Sequence, residues 1–279
     1  GLPACFFGGR KMKQSIALTE LMRCLDEFAP FALASDWDNS GLQIGDFSVP
    51  ITGILLCVDC TEAVVQEAVE KRCELILSHH PLLFRPFKQI VEQFGSQRVV
   101  RQLIRHNIAL VSTHTNLDYA EKGLCFAMAK TLGLAEIQPV IGPGEEDAGY
   151  GRWGCIETMP LRALAQRAKE AFSATTVKYA GASDAPVRTV LTASGSGLKA
   201  VLHHALQLGV DAVVTSDVAY NDALDAVAAG LCVVDAGHFD TEKACCEVWR
   251  QTLQTKFDAL QYSVRLYTAQ NSVDVFKQV

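Results

Sequence analysis

Apolar and polar positions along this chain change period repeatedly. Residues 17–28 carry an apolar stripe at helical spacing, with Ser15 or Thr19 available as a cap. Residues 51–59 form a β-branched and apolar run, the pattern of a strand buried on both faces. The spacing then predicts a helix over 62–72, a strand over 75–78, a helix over 98–106, a strand over 108–113 and a helix over 123–132 that stops at Gly133. The rhythm breaks over 137–151, which holds Pro139, Gly142, Pro143, Gly144, Gly149 and Gly151 beside the charges of 145–147. Alternation resumes with strands predicted over 154–158, 175–179, 187–193, 212–215, 231–235 and 262–267. Helices are predicted over 161–172, 198–208, 220–229 and 241–257.

Such alternation predicts an α/β protein, a two-lobed subunit with mixed or parallel sheets flanked by helices. The break near residue 137 suggests the division. Residues 1–136 with 230–279 make one lobe, 137–229 the second, and 1–14 a poorly ordered lead-in. The chain has 279 residues, nearly half of them apolar, so a large core needs no staple.

A formal charge of -6 argues against general nucleic-acid binding, because the basic runs around Arg10-Lys11 and Arg98–Arg101 are short. No apolar run approaches the roughly 20 residues of a membrane span. Several of the ten cysteines sit inside apolar runs, as reduced thiols do, which points to a cytoplasmic protein. Cys57 and Cys60 have redox spacing but lie at a strand end, so a redox role is set aside.

Candidate chemistry gathers at strand ends. CELILSHHP finishes at His79 and His80. NIALVSTHTNLD finishes at His114, with Asp118 four residues on. LCVVDAGHFDTE finishes at His238, with Glu242 four residues on. Ligands of open α/β sheets collect at the carboxyl ends of the strands. Imidazole and carboxylate suit zinc, manganese, iron, cobalt or nickel. Strand alternation, kept extended by Pro81, sends His79 and His80 to opposite faces, which predicts two neighbouring ions rather than one. His106, His203 and His204 sit in helical surroundings and read as ordinary structural residues. Gly41 and Gly45 in GLQIG fit close backbone approach; a phosphate cradle there lacks the usual spacing.

Four blocks together resemble the Nif-three-like family (NGG-one-interacting factor three), whose members are also called GTP cyclohydrolase one type two homologues. They are SDWDNSGLQIGD at 35–46, ELILSHHPLLFRPFK at 74–88, STHTNLDYAEKG at 112–123 and VVDAGHFDTE at 233–242. The resemblance implies a two-metal centre in a two-domain α/β subunit, with ligands at His79, His80, Asp118, His238 and Glu242. It also implies a toroidal homohexamer built from dimers, and His114 close to the metals. Some members place a histidine near TSDVAYNDALDA, where this chain has Tyr220-Asn221.

These residues lead to the expectation of a hydrolase with two divalent ions, acting on a phosphoester, nucleotide or cyclic amide through a metal-bridging hydroxide. His114 and Asp36 are the catalytic candidates, although a turn or cap role suits Asp36 and Asp38 too. The alternative is a non-catalytic metal-binding scaffold with a transcription-related protein partner, as the family name suggests. The open positions left by five ligands around two ions favour catalysis.

Overall fold

The structure of the protein is a computed structural model that describes residues 12–140 and 149–277. Two sheets organise it. In the first, Arg265–Thr268, Gly53–Cys57, Leu75–Ser78 and Ala109–Ser112 lie side by side in that order and run parallel, and Gly41–Ile44 closes the edge antiparallel. The three inner strands are buried throughout, which is why they read as unbroken apolar runs. Their side chains alternate between two cores. Ile54 and Leu56 pack under the helices Leu18–Phe28 and Ala244–Leu260, against Leu21, Leu25, Trp249 and Leu253. Leu55 and Cys57 pack under Glu62–Lys71 and Gly95–His106, against Val64, Val65 and Leu103.

The second sheet runs in the order Ala135–Pro139, Arg152–Pro160, Pro186–Thr192, Ala212–Thr215, Cys232–Asp235, Lys178–Ala180. Pro186–Thr192, Ala212–Thr215 and Cys232–Asp235 are parallel; the flanking strands are antiparallel. Helices cover both faces, Leu161–Ala171 on one, Leu198–Leu208 and Tyr220–Ala228 on the other. The helix Leu124–Leu132 bridges the lobes: Leu124 lies in the first core, Met128 and Leu132 in the second.

Several local expectations change. Cys232–Asp235, expected with the first lobe, pairs inside the second sheet. A short apolar run signals burial but not which sheet buries it. Residues 137–139, expected to open the irregular break, belong to Ala135–Pro139, an edge strand of that sheet, and the charges of 145–147 lie outside the described residues. GLQI is a strand rather than a phosphate loop, and a Cβ on Gly45 would come within 2.8 Å of Ala109 Cβ. The end of the expected lead-in is held, since Lys13 N–H donates to Gln261 O and Ser263 N–H to Lys13 O, both at 2.8 Å. Residues 1–11 lie outside the described part.

The two sheets meet end to end at their carboxyl edges. Ser78 leads into His79 and His80, Ser112 into Thr113 and His114, and Cys57 into Val58 and Asp59. From the other sheet, Thr192 leads to Ser194, Thr215 to Asp217 and Asp235 to His238. Every parallel strand except the outermost, Arg265–Thr268, thus points a polar side chain at the seam.

Candidate metal centre

The strand Leu75–Ser78 stops before its histidines. His79 N–H donates to Cys57 O at 3.0 Å, and His80 N–H donates to Val58 O at 3.0 Å. Ser78 Oγ donates to His80 O at 2.8 Å and closes the bend. Strand alternation therefore ends at Ser78 instead of persisting to Pro81. The two rings lie together, 5.1 Å between centroids, instead of on opposite faces. His114 precedes the short helix Thr115–Tyr119, which carries Asp118. His238 and Glu242 open and close another short helix, His238–Glu242, so the i,i+4 spacing puts both on one face. That helix is separate from Ala244–Leu260; the single long helix expected over 241–257 is divided at Lys243.

Each of the four imidazoles rests its Nδ1 on an acceptor. His79 Nδ1 lies 2.9 Å from Thr113 O, His80 Nδ1 2.8 Å from Asp59 Oδ1, His114 Nδ1 2.8 Å from Asp38 Oδ1, and His238 Nδ1 2.7 Å from Asp217 Oδ2. An acceptor at Nδ1 holds a proton there and makes Nε2 the nitrogen that can offer a lone pair to a metal, the arrangement usual in metal-binding histidines.

The Nε2 atoms of three of these rings converge on Glu242. Its Oε1 is 3.7 Å from His79 Nε2, which is also 3.9 Å from Asp118 Oδ1. Its Oε2 is 2.9 Å from His80 Nε2 and 3.1 Å from His238 Nε2. Those two approaches lie off the direction of a hydrogen bond, and Oε2 has no hydrogen-bond partner. His79 Nε2 has none either. Donor atoms of His79, His80 and His114 also fall within 4.8 Å of one another, as do those of His80, His238 and Glu242. Imidazole and carboxylate donors with no thiol, and buried atoms left without partners, fit a first-row divalent cation.

The second lobe completes the site in two further ways. Ser194 Oγ donates to Asp118 Oδ1 at 2.6 Å, holding a carboxylate of the first lobe from across the seam. Gly195 adopts φ +55°, and a Cβ there would come within 2.2 Å of Glu242 Oε1. Only glycine lets this backbone approach the carboxylate.

The electrostatics follow from burial and charge together. Burial drives the Asp118 carboxyl up. Burial acts the same way on Glu242, but His79, His238 and His80 around it reverse the shift and hold it well below the usual carboxylate range. Burial alone would lower the imidazoles. The Asp59 and Glu242 carboxylates instead raise His80 to about 10, and Glu242 with Asp217 raises His238 to about 9. Asp38 is likewise pushed up by burial, then held well below its ordinary value by His114, Thr115 and Ser40. The free imidazoles of the open side therefore carry protons at neutral pH, and a metal would have to displace them.

Of the residues selected from sequence, His79, His80, His114, Asp118, His238 and Glu242 come together. Asp36 does not: its side chain is exposed, and Asp38, two positions on, makes the contact with His114. His106, His203 and His204 belong to neither donor group, nor does any described cysteine. The nine described cysteines are free, and burial raises Cys60 to about 12 and Cys125 to about 11. Sequence reasoning gave Asp38 only a turn or cap role and passed over Asp59, Asp217 and Ser194. Asp59, Ser194 and Asp217 stand two positions past the end of a parallel strand, so the rule that found the histidines would also have found them.

Fold and site together define a two-sheet α/β protein with a histidine–carboxylate centre at the seam of its sheets. The family model described as Duf34/NIF3 (NGG1p interacting factor 3) matches residues 16–274. The chain belongs to this family. A Clostridium acetobutylicum protein named "GTP cyclohydrolase 1 type 2 homolog" is 32% identical, over 94% of this chain and 99% of its own. The crystal structure of a Staphylococcus aureus hypothetical protein, SA1388, superposes with a TM-score of 0.88 at 29% identity, over 95% of this chain and 99% of its own. A Bacillus cereus protein related to NIF3 has the same fold, with a TM-score of 0.89 at 24% identity, covering 96% of this chain and all of its own. Among the described residues no helix is long and apolar enough to cross a membrane.

Proposed function

We propose that the protein is a hydrolase that works with two divalent metal ions held at this seam. The observation that carries the reading is the shared carboxylate. Glu242 presents one oxygen to His79, which also faces Asp118, and the other to His80 and His238. This supports one ion among His79, Asp118 and Oε1, and a second among His80, His238 and Oε2. Such a pair, when bound, supplies an activated water near neutral pH and polarises the bond to be cleaved.

The chain's own groups do the rest. Asp59, Asp217 and the Thr113 carbonyl fix the rings that hold the ions. His114, oriented by Asp38 through Nδ1, lines the chamber, where its other nitrogen can take a proton from the attacking water and return it to a leaving group. Asp36 has no such contact and is replaced by Asp38 as the supporting carboxylate. The substrate class is a phosphoester, nucleotide or cyclic amide; the relatives' name brings a purine nucleotide into that set. Assembly as a homohexamer in the cytoplasm belongs to the same proposal and is checked by light scattering.

Metal content per subunit, measured on protein purified without chelator or nickel resin, tests the centre. We expect about two ions, lost in His80→Ala and Glu242→Ala with the fold retained. A screen of phosphoesters and nucleotides with each of zinc, manganese, iron, cobalt and nickel then tests the reaction. A parent that takes up no metal would remove the hydrolase reading and leave a scaffold for protein partners in its place.

A further inference from the structure

Two large aromatic rings stand in water beside the centre. Trp37 keeps 62% of its surface exposed and Phe84 44%, whereas Trp249 is buried and Trp153 half-buried. The exposed rings meet edge to face at 6.0 Å, and each also meets the His114 ring, at 5.9 and 6.4 Å. Their loops are tied together. Asn39 Nδ2 donates to Leu83 O, and Leu83 N–H donates to Gln43 Oε1, both at 2.8 Å. Asp38, next to Trp37, is fixed in turn by Thr115 and Ser40. The pair is therefore a rigid platform and not a flap.

Leaving such rings exposed forgoes about 1.5–3 kcal/mol of burial for each. A chamber of about 270 Å³ opens beside Trp37, and His114, Asp118, Tyr150 and Glu242 line it as well. A ring lying on Trp37 would sit next to His114 while its substituents reach the chamber. A chamber of that size beside the ring fits a small molecule. The occupant is therefore small.

We propose that Trp37, backed by Phe84, binds the planar base of a nucleotide, and so selects nucleotides from the wider class of phosphoesters. The proposal rests on the hydrolase reading for the fate of the phosphate, but not for the binding of the ring. An aromatic face meets the face of any base, so this platform discriminates base from no base more than one base from another.

The test uses the full-length, zinc-loaded protein, with AMP, CMP and ribose 5-phosphate as probes. Calorimetry and tryptophan emission are followed in the parent, Trp37→Ala, Trp37→Phe and Phe84→Ala. We expect AMP and CMP to quench emission and to bind about tenfold tighter than ribose 5-phosphate. Trp37→Ala should lose that advantage and the quenching, and Trp37→Phe should recover part of the affinity. Metal content should stay at the parent's level in all three variants. Equal binding of AMP and ribose 5-phosphate by the parent, no AMP binding, or AMP affinity that survives Trp37→Ala would overturn the proposal. So would an emission maximum that shifts with protein concentration, which would mean that Trp37 lies between subunits. The two readings fail separately. A parent that binds AMP through Trp37 but turns over no phosphoester loses only the hydrolase reading. An active, metal-loaded parent indifferent to Trp37→Ala loses only the platform.

Discussion

His79 and His80 are neighbours in the chain but live in different surroundings. The His79 side chain is fully buried, leans on a backbone carbonyl, and faces the equally sealed Asp118. His80 and its companion His238 keep 26% and 35% of their side chains exposed and lean on Asp59 and Asp217, both about half exposed. One half of the centre is thus continuous with the core, and the other borders solvent. In the sealed half, the side chains that would hold an ion are also part of the core. In the open half, side chains can be perturbed while the scaffold stands, and water can reach them.

The strongest test of this contrast is to remove what the halves share. Glu242→Gln keeps the side-chain volume but withdraws the carboxylate from both, and metal analysis after dialysis should find neither half loaded. Retention of one ion would mean that the halves are independent. Next comes truncation on either side. His79→Ala leaves Asp118 buried without its partner and should cost about 3 kcal/mol in urea unfolding of the metal-free protein. His80→Ala, at the solvent edge, should cost less than that, because water reaches the groups it leaves behind. Equal losses would erase the contrast.

Smaller effects should follow from the supporting carboxylates. Asp59→Asn and Asp217→Asn should weaken metal binding by about 10–100-fold in a competition titration. Urea midpoints should shift by no more than about 0.5 kcal/mol. The gentlest effect is that of pH. His80 and His238 are raised to about 10 and about 9 from an ordinary 6.5. A raised imidazole contributes stability that is complete below the unfolded value and is lost as pH climbs through the folded one. The melting temperature of the metal-free protein should therefore fall as pH rises from 7 towards 10. Metal affinity should move the other way, rising up to about tenfold per pH unit for each proton displaced. Parallel slopes would mean that these imidazoles do not take up the metal.

The sequence revealed the histidines because strand ends are legible: an unbroken apolar run that stops at a polar residue can be seen without coordinates. It also revealed Asp118 and Glu242, because short helices put i and i+4 on one face. It misled over the orientation of His79 and His80, since nothing in LILSHHP marks the bend that Val58 O imposes from a neighbouring strand. It named Asp36 in place of Asp38, because the choice depends on which carboxylate reaches His114, a residue 76 positions away from Asp38. Cys232–Asp235 was assigned to the wrong sheet for a similar reason. Pairing partners are long-range facts, whereas burial is written locally.

The carboxylate that joins the two halves also sets a schedule. During synthesis His79, His80, His114 and Asp118 leave the ribosome first, and Glu242 follows only after the whole second sheet. At 5–20 residues per second the interval after Asp118 is roughly six to twenty-five seconds. Throughout it the nascent chain displays imidazoles without the residue that unites them. On the two-metal reading, loading of the centre would be a late event, completed only when both lobes have been made and joined.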